Sequence, residues 1–144
     1  MNVLRTVHEV TGVVVIYGKH DEFKTLTCLQ NLTSIYGEGT ERNHGFSFFV
    51  VHTSLESLDL PSLTIVRNGN VAILSNRKLC YVEDRVVDAI IRKTSQRVIV
   101  KFNRSRTECE RLGHVCSADC TMIGCWGPGK ENCVRNLNVG GQGN

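Results

Sequence analysis

No apolar run in this sequence approaches the roughly 18 residues needed to span a bilayer. The longest are Val13-Val14-Val15-Ile16-Tyr17 and Phe48-Phe49-Val50-Val51. This segment is therefore expected to make no membrane contact of its own. No block of like charge exists either. Seventeen Lys and Arg stand against fourteen Asp and Glu, for a net charge of +3, which is no footprint for nucleic acid. Two prolines exclude extended proline-rich linkers. The N-terminus, Met1-Asn2-Val3-Leu4-Arg5-Thr6, lacks the apolar core of a signal peptide. What remains is 144 residues, 41% hydrophobic and 22% charged. That is the composition of one ordinary domain with room for a small appendage, and not of a disordered chain.

Cysteine is abundant and clustered. Five of the seven, Cys109, Cys116, Cys120, Cys125 and Cys133, fall in one short stretch, with Cys28 and Cys80 upstream. Such clustering reads as a disulfide framework or a metal site. The odd total leaves one thiol over, or a partner outside this chain. A secreted-looking body without a signal peptide reads as a fragment of something longer or as a gene model with a missing start.

The chain ahead of Cys109 repeats. Val7-x-x-Val10-x-Gly12-x-Val14-x-Ile16 is echoed by Leu32-x-x-Ile35-x-Gly37 and by Leu63-x-x-Val66-x-x-Gly69-x-Val71-x-Ile73. Gly12, Gly37 and Gly69 mark the period, and Leu55-x-x-Leu58-x-Leu60-x-x-Leu63 has leucine-rich-repeat spacing. Such a period predicts a solenoid, each coil giving a short strand to a shared core. The fold class is thus mainly β, a parallel solenoid followed by a small disulfide-rich module. An antiparallel sandwich ranks lower, because Gly69-Asn70 is the one hairpin-like pair. Residues 83–93 read as a helix with Val82, Val86 and Ile90 on one face, its acidic start and basic end suiting the macrodipole. Residues 96–102 read as a last strand, and Asn103-Arg104-Ser105-Arg106 as a loop. From Cys109 onward periodicity stops, and crosslinks must replace a core too small to fold alone.

Three stretches resemble one family. Thr6-Val7-His8-Glu9-Val10-Thr11-Gly12-Val13-Val14-Val15-Ile16 is similar to the first strand segment in the second L domain of epidermal growth factor receptors. Gly69-Asn70-Val71-Ala72-Ile73-Leu74-Ser75-Asn76-Arg77-Lys78-Leu79-Cys80-Tyr81 resembles that domain's last rung. Val115-Cys116-x-x-x-Cys120-x-x-x-Gly124-Cys125-Trp126-Gly127-Pro128-Gly129 resembles the opening of the following furin-like cysteine-rich domain. The resemblance covers about residues 6–134. It implies a receptor L domain, a right-handed parallel β-helix truncated at its N-terminus, over 1–109 and the start of the cysteine-rich domain over 110–144. It also implies an extracellular position in a single-pass receptor of the plasma membrane, or secretion if the protein is this short. The expected partners are an EGF-like protein ligand and, in the parent, a second receptor and a cytoplasmic kinase. Two alternatives are a soluble decoy and an insulin-receptor-type L domain. The chain itself has no kinase motif (no Gly-rich loop, His-Arg-Asp or Asp-Phe-Gly), and no enzyme activity or cofactor is expected. Two departures stand out. The chain starts inside the family's L domain, and after Cys133 it leaves the family pattern.

Spacing alone leaves 15 pairings open for six cysteines. The resemblance implies Cys80–Cys109, Cys116–Cys125 and Cys120–Cys133. Cys28, beside Leu29, is then left as a small buried hydrophobe. Zinc on the cluster with His114 is the rival, but paired Cys-x2-Cys knuckles are absent, and His8, His20, His44, His52 and His114 are scattered. Trp126 is expected to pack against the last rung. Sequons occur at Asn31 and Asn103, Asn103 in its polar loop being the better acceptor. On the outward face of the sheet the resemblance implies ligand contacts at Val15, Tyr17, Phe46, Phe49, Ala72 and Ile99, with His44 reached after a one-residue shift. Alternation puts Val13, Val15 and Tyr17 on one face and Val14 and Ile16 on the other. Phe46 and Phe49 are three apart, so both can face outward only across a bulge or twist; otherwise both are core.

Overall fold

The computed structural model describes residues 2–120 and 123–135. The chain beyond Arg135, and with it most of the stretch after Cys133 expected to leave the family pattern, lies outside the described residues.

Four coils stack. Each of the first three contributes two short strands: β1 (Glu9–Val10) and β2 (Val14–Tyr17), β3 (Ser34–Ile35) and β4 (Phe46–Val51), β5 (Ile65–Val66) and β6 (Asn70–Leu74). The fourth contributes a bridge at Ile91 to Val66, followed by β7 (Val98–Lys101). The strands form two parallel sheets, β1-β3-β5 and β2-β4-β6-β7. Parallel neighbours need long crossovers, and the coil itself supplies them. The core is therefore an apolar column. Phe48, Val50, Val71 and Ile73 enter it from the larger sheet, and Leu55, Leu58, Leu60 and Leu63 enter from the third coil's irregular segment, all fully buried. The leucine-rich spacing marks that inward-facing segment and not a strand.

A corner recurs on every coil. The row Tyr17, Val51, Leu74, Lys101 is in register, and the next residue of each, Gly18, His52, Ser75 and Phe102, has φ between 55° and 112°. Only the first is glycine. The strain of the other three is held by a polar ladder just past the corner. Asn76 Oδ1 accepts from the Thr53 backbone N–H (2.9 Å) and hydroxyl (2.7 Å), and Asn76 Nδ2 donates to Val50 O (3.1 Å). Asn103 repeats the pattern one coil on, Nδ2 donating to Ile73 O at 3.0 Å. The expected loop at Asn103 is thus a structural rung. Its amide nitrogen, where a glycan would attach, is committed to the Ile73 carbonyl. At the other sequon, Asn31 Nδ2 likewise donates to a backbone carbonyl, Arg5 O, at 2.8 Å.

The helix expected over 83–93 is shorter: α1 spans Asp84–Asp88. Ile91 must reach the bridge with Val66, so the coil's fixed length cuts the helix off. Val86, Val87 and Ile90 are buried as the periodicity requires. The Arg92 guanidinium still serves the C-terminal end, donating to Ala89 O and Ile91 O at 3.0 Å. The last strand is also shorter than 96–102. Gln96 is buried, and its side-chain oxygen accepts from the backbone N–H groups of Arg92 and Lys93, both at 2.8 Å. A second helix, α2 (Arg106–Arg111), was not apparent in the sequence. Ser105 caps it, its Oγ accepting from Glu108 N. It crosses the division expected at 109/110.

Bridges join Cys80 to Cys109, Cys116 to Cys125 and Cys120 to Cys133, and Cys28 is a buried free thiol. The first pins the last coil to α2, and the other two interlace in the cysteine module. Trp126 is fully buried in the solenoid's own apolar cluster. That cluster includes Leu79, Val86, Val87 and Ile90 of the last coil, and the Trp126 carbonyl also accepts from Asp59 N, in the leucine segment of the third coil, at 3.0 Å. A Cβ at Gly127 would collide with the Asp59 carboxylate. Burial raises the Asp59 pKa, hydrogen bonds from Ser57 and Asn132 lower it, and the Glu131 charge raises it further.

Candidate ligand-binding face

The larger sheet has one face in the core and one free. Alternation along β2 sends Val14 and Ile16 to the core and leaves Val15 46% and Tyr17 72% exposed. Val15, Phe49, Ala72 and Ile99 then form one cross-strand row over β2, β4, β6 and β7. Four of the expected contacts, far apart in sequence, thus stand side by side.

Phe46 and Phe49 share this face. The register of β4 against β6 shifts between Phe46 and Phe48. One residue, Ser47, is tucked into the interior there, and its hydroxyl donates to Asn70 O at 3.4 Å. The bulge resets the alternation, so Phe48 is core while Phe46 and Phe49 are half-buried on the outside, ring centroids 5.2 Å apart. Neither Phe46 nor Phe49 is core.

Ala72 needs a correction. It lies in the row but is 0% exposed. Its methyl is short, and Phe49 and Ile99 flank it on adjacent strands. It is the floor of the face and offers no surface for contact. His44 is exposed at the end of the 3-10 turn Thr40–Asn43, with φ 56°. It borders the face at the start of β4 and is not part of the row.

The sequence reading missed a second row, Tyr17, Val51, Leu74 and Lys101. Stepping two residues on from Phe49, Ala72 and Ile99 gives its last three members, so the signal was there. His52 and Phe102 extend the rim at the corner. The His52 ring stands edge-on to Tyr17 at 6.0 Å, and Phe102 is 76% exposed. The face is thus an apolar strip with aromatics along its β2 and β4 side, bounded by His52 at the corner and Lys101 at the far strand. Aromatic side chains offer large contact area at low conformational cost, which suits protein recognition.

The receptor L domain family matches residues 1–91. The chain belongs to the receptor L domain family. Within it, the similarity is to epidermal growth factor receptors. The chain is 37% identical over 138 residues to the epidermal growth factor receptor of Apis mellifera, covering 96% of this chain and 11% of that protein. It is 34% identical over 133 residues to the epidermal growth factor receptor of Gallus gallus, covering 92% and 19% respectively. It is 31% identical over 135 residues to the human receptor tyrosine-protein kinase erbB-4, covering 93% and 10%. The chain therefore spans a tenth to a fifth of the length of these relatives. The aligned stretch takes in the L domain and most of the chain that follows it. The three bridges suit an extracellular L domain, and among the described residues no helix is long and apolar enough to cross a membrane.

Proposed function

We propose that this L domain is the growth-factor-binding part of a receptor tyrosine kinase and takes an EGF-like protein on the outward face of the larger sheet. The observation that carries this reading is the row Val15–Phe49–Ala72–Ile99, with Tyr17 and Phe46 beside it. An apolar strip ringed by polar groups is the anatomy of a protein-binding patch. The named relatives are epidermal growth factor receptors and a receptor tyrosine-protein kinase, which supports an EGF-like protein as the ligand. In the full-length parent, on the extracellular side of the plasma membrane, occupation of this face would be coupled to pairing of two receptors and to the kinase.

Titration of the folded chain with an EGF-like growth factor tests the reading. Binding should be saturable, and Phe49→Ala and Tyr17→Ala should each weaken it at least about tenfold, as hot-spot truncations do, with the unfolding midpoint nearly unchanged. Absence of binding, or binding indifferent to both substitutions, would remove the proposal.

A further inference from the structure

A second surface lies on the smaller sheet, away from the apolar face. The bridge between Val66 and Ile91 sets neighbouring coils in register, so Arg67 stands beside Arg92 and Asn68 beside Lys93. Val66 is buried and Arg67 is exposed, as are Arg92, Lys93 and Arg97. Four cations thus collect where the third and fourth coils meet. Like charges on adjacent strands repel, and such a stack needs something to hold it. Here that something is neutral. The Arg67 guanidinium lies 5.1 Å above the Tyr36 ring. Arg92 donates to the carbonyls of Ala89, Ile91 and Thr64. Lys93 Nζ donates to Asn68 Oδ1. The Arg97 backbone N–H donates to Asn70 Oδ1 at 2.8 Å, and buried Gln96 fixes the turn between Lys93 and Arg97.

The charges are positioned but not neutralised. Ion pairs among the described residues join Lys78 to Asp21, Arg85 to Glu83, Arg106 to Glu110 and Arg111 to Glu108, and none involves this corner. The acids nearest in the coil register, Glu38 and Asp88, are exposed and form no ion pair with it.

We propose that this corner binds a sulfated polysaccharide, with Arg67, Lys93 and Arg97 meeting successive sulfate groups and Arg92 holding the corner in shape. Arg67 and Arg92 stand on adjacent coils, which stack about 4.8 Å apart, and Lys93 and Arg97 follow along the fourth coil, a crowding of like charge that suits a linear, densely charged anion. Outside the cell, where a disulfide-bridged domain persists, sulfated glycans are such polymers. The site stands on its own observations and does not require the growth-factor reading.

The test uses the intact, disulfide-bonded chain and a heparin-derived octasaccharide, with a desulfated octasaccharide of equal length as reference. The triple variant Arg67→Gln/Lys93→Gln/Arg97→Gln should bind the sulfated probe at least about tenfold more weakly. The slope of log affinity against log salt should fall by about 2, near 0.7 per charge removed from a flexible polyanion contact. The triple variant Lys24→Gln/Arg77→Gln/Lys130→Gln removes equal charge elsewhere and should stay within about twofold of the parent. Should the first triple variant lower the unfolding midpoint, the double variant Lys93→Gln/Arg97→Gln at exposed positions replaces it, with at least about a threefold loss expected. Equal loss in the control variant would reduce the effect to net charge and overturn the proposal. So would equal binding of the desulfated probe, or tighter binding to phosphatidylserine vesicles, which would assign the corner to an anionic membrane surface.

Discussion

Asn103 Oδ1 accepts two hydrogen bonds from Asn76 on the coil before it, from the backbone N–H at 3.1 Å and from the side-chain amide at 2.9 Å. Asn76 is fully buried and also holds Thr53 and Val50 O. One side chain thus ties three successive coils together at their strained corners. Asn76→Ala leaves several buried polar groups without partners, each costing about 1–3 kcal/mol. A loss of about 2–4 kcal/mol is expected in urea unfolding with the disulfides intact. A loss below about 1 kcal/mol would show that water replaces the ladder.

Phe48 and Phe49 are chain neighbours with opposite duties. Phe48→Ala should cost about 3–5 kcal/mol, as loss of a fully buried phenylalanine does. Phe49→Ala, half-exposed across the bulge, should cost much less and act on ligand binding instead. If chemical denaturation gives the two variants equal losses, the division of β4 at its bulge is wrong.

The Cys80–Cys109 bridge closes a separation of 29 residues. Chain-entropy arguments put such a loop at about 3–4 kcal/mol. Cys80→Ala/Cys109→Ala should lower stability by that order. It should also raise the hydrogen exchange of α2, whose hold on the last coil depends on that bridge, while β4 and β6 stay protected.

Asp59 gives a pH signature. Burial, followed by the Glu131 charge, outweighs the hydrogen bonds and raises its pKa above the ordinary 3.8. The folded state then binds this proton more tightly than the unfolded state does. Its contribution to stability is fully present below about 3.8 and is lost as pH rises through the folded pKa. At neutral pH the ionised carboxylate opposes docking of the Gly127 turn. Asp59→Asn should therefore be more stable than the parent at pH 7, the difference shrinking as pH falls toward 4. Thermal unfolding of both proteins across pH 4–7 reads this difference directly, and a gap that widens toward acid would contradict it.

Cys28 is the remaining thiol, buried beneath the first coils. Alkylation followed by mass spectrometry should find one reactive thiol per chain after denaturation without reductant, seven after reduction, and almost none in the native protein. Native labelling at a rate near that of a free thiol would place Cys28 at the surface.

Much of this architecture was legible because its signals are local. Alternation along Val14–Tyr17 separates the faces of β2. The repeated glycines mark the coils, and Leu55–Leu63 marks the segment that must face inward. The resemblance in Gly124-Cys125-Trp126-Gly127-Pro128 carried the module that follows. Residues whose role depends on a neighbour one coil away were not legible. Asn103 looked like part of a polar loop because its partners, Asn76 and Ile73, meet it only once the coils stack. Ala72 looked like a contact because its row was correct, and it is covered only because Phe49 and Ile99 are larger. The arginine corner gave no signal, since Arg67 and Arg92 belong to different coils and meet only when these stack.

The sequence by itself determined the repeating coil, the inward and outward sides of its strands, and the family to which they are similar. These follow from side-chain period and spacing, which are properties of short stretches. Only the tertiary structure decided which outward residues are accessible, where β4 changes face, which asparagines are structural, and where cations gather unpaired. Each of these is a relation between coils, set by the register in which one stacks on the next.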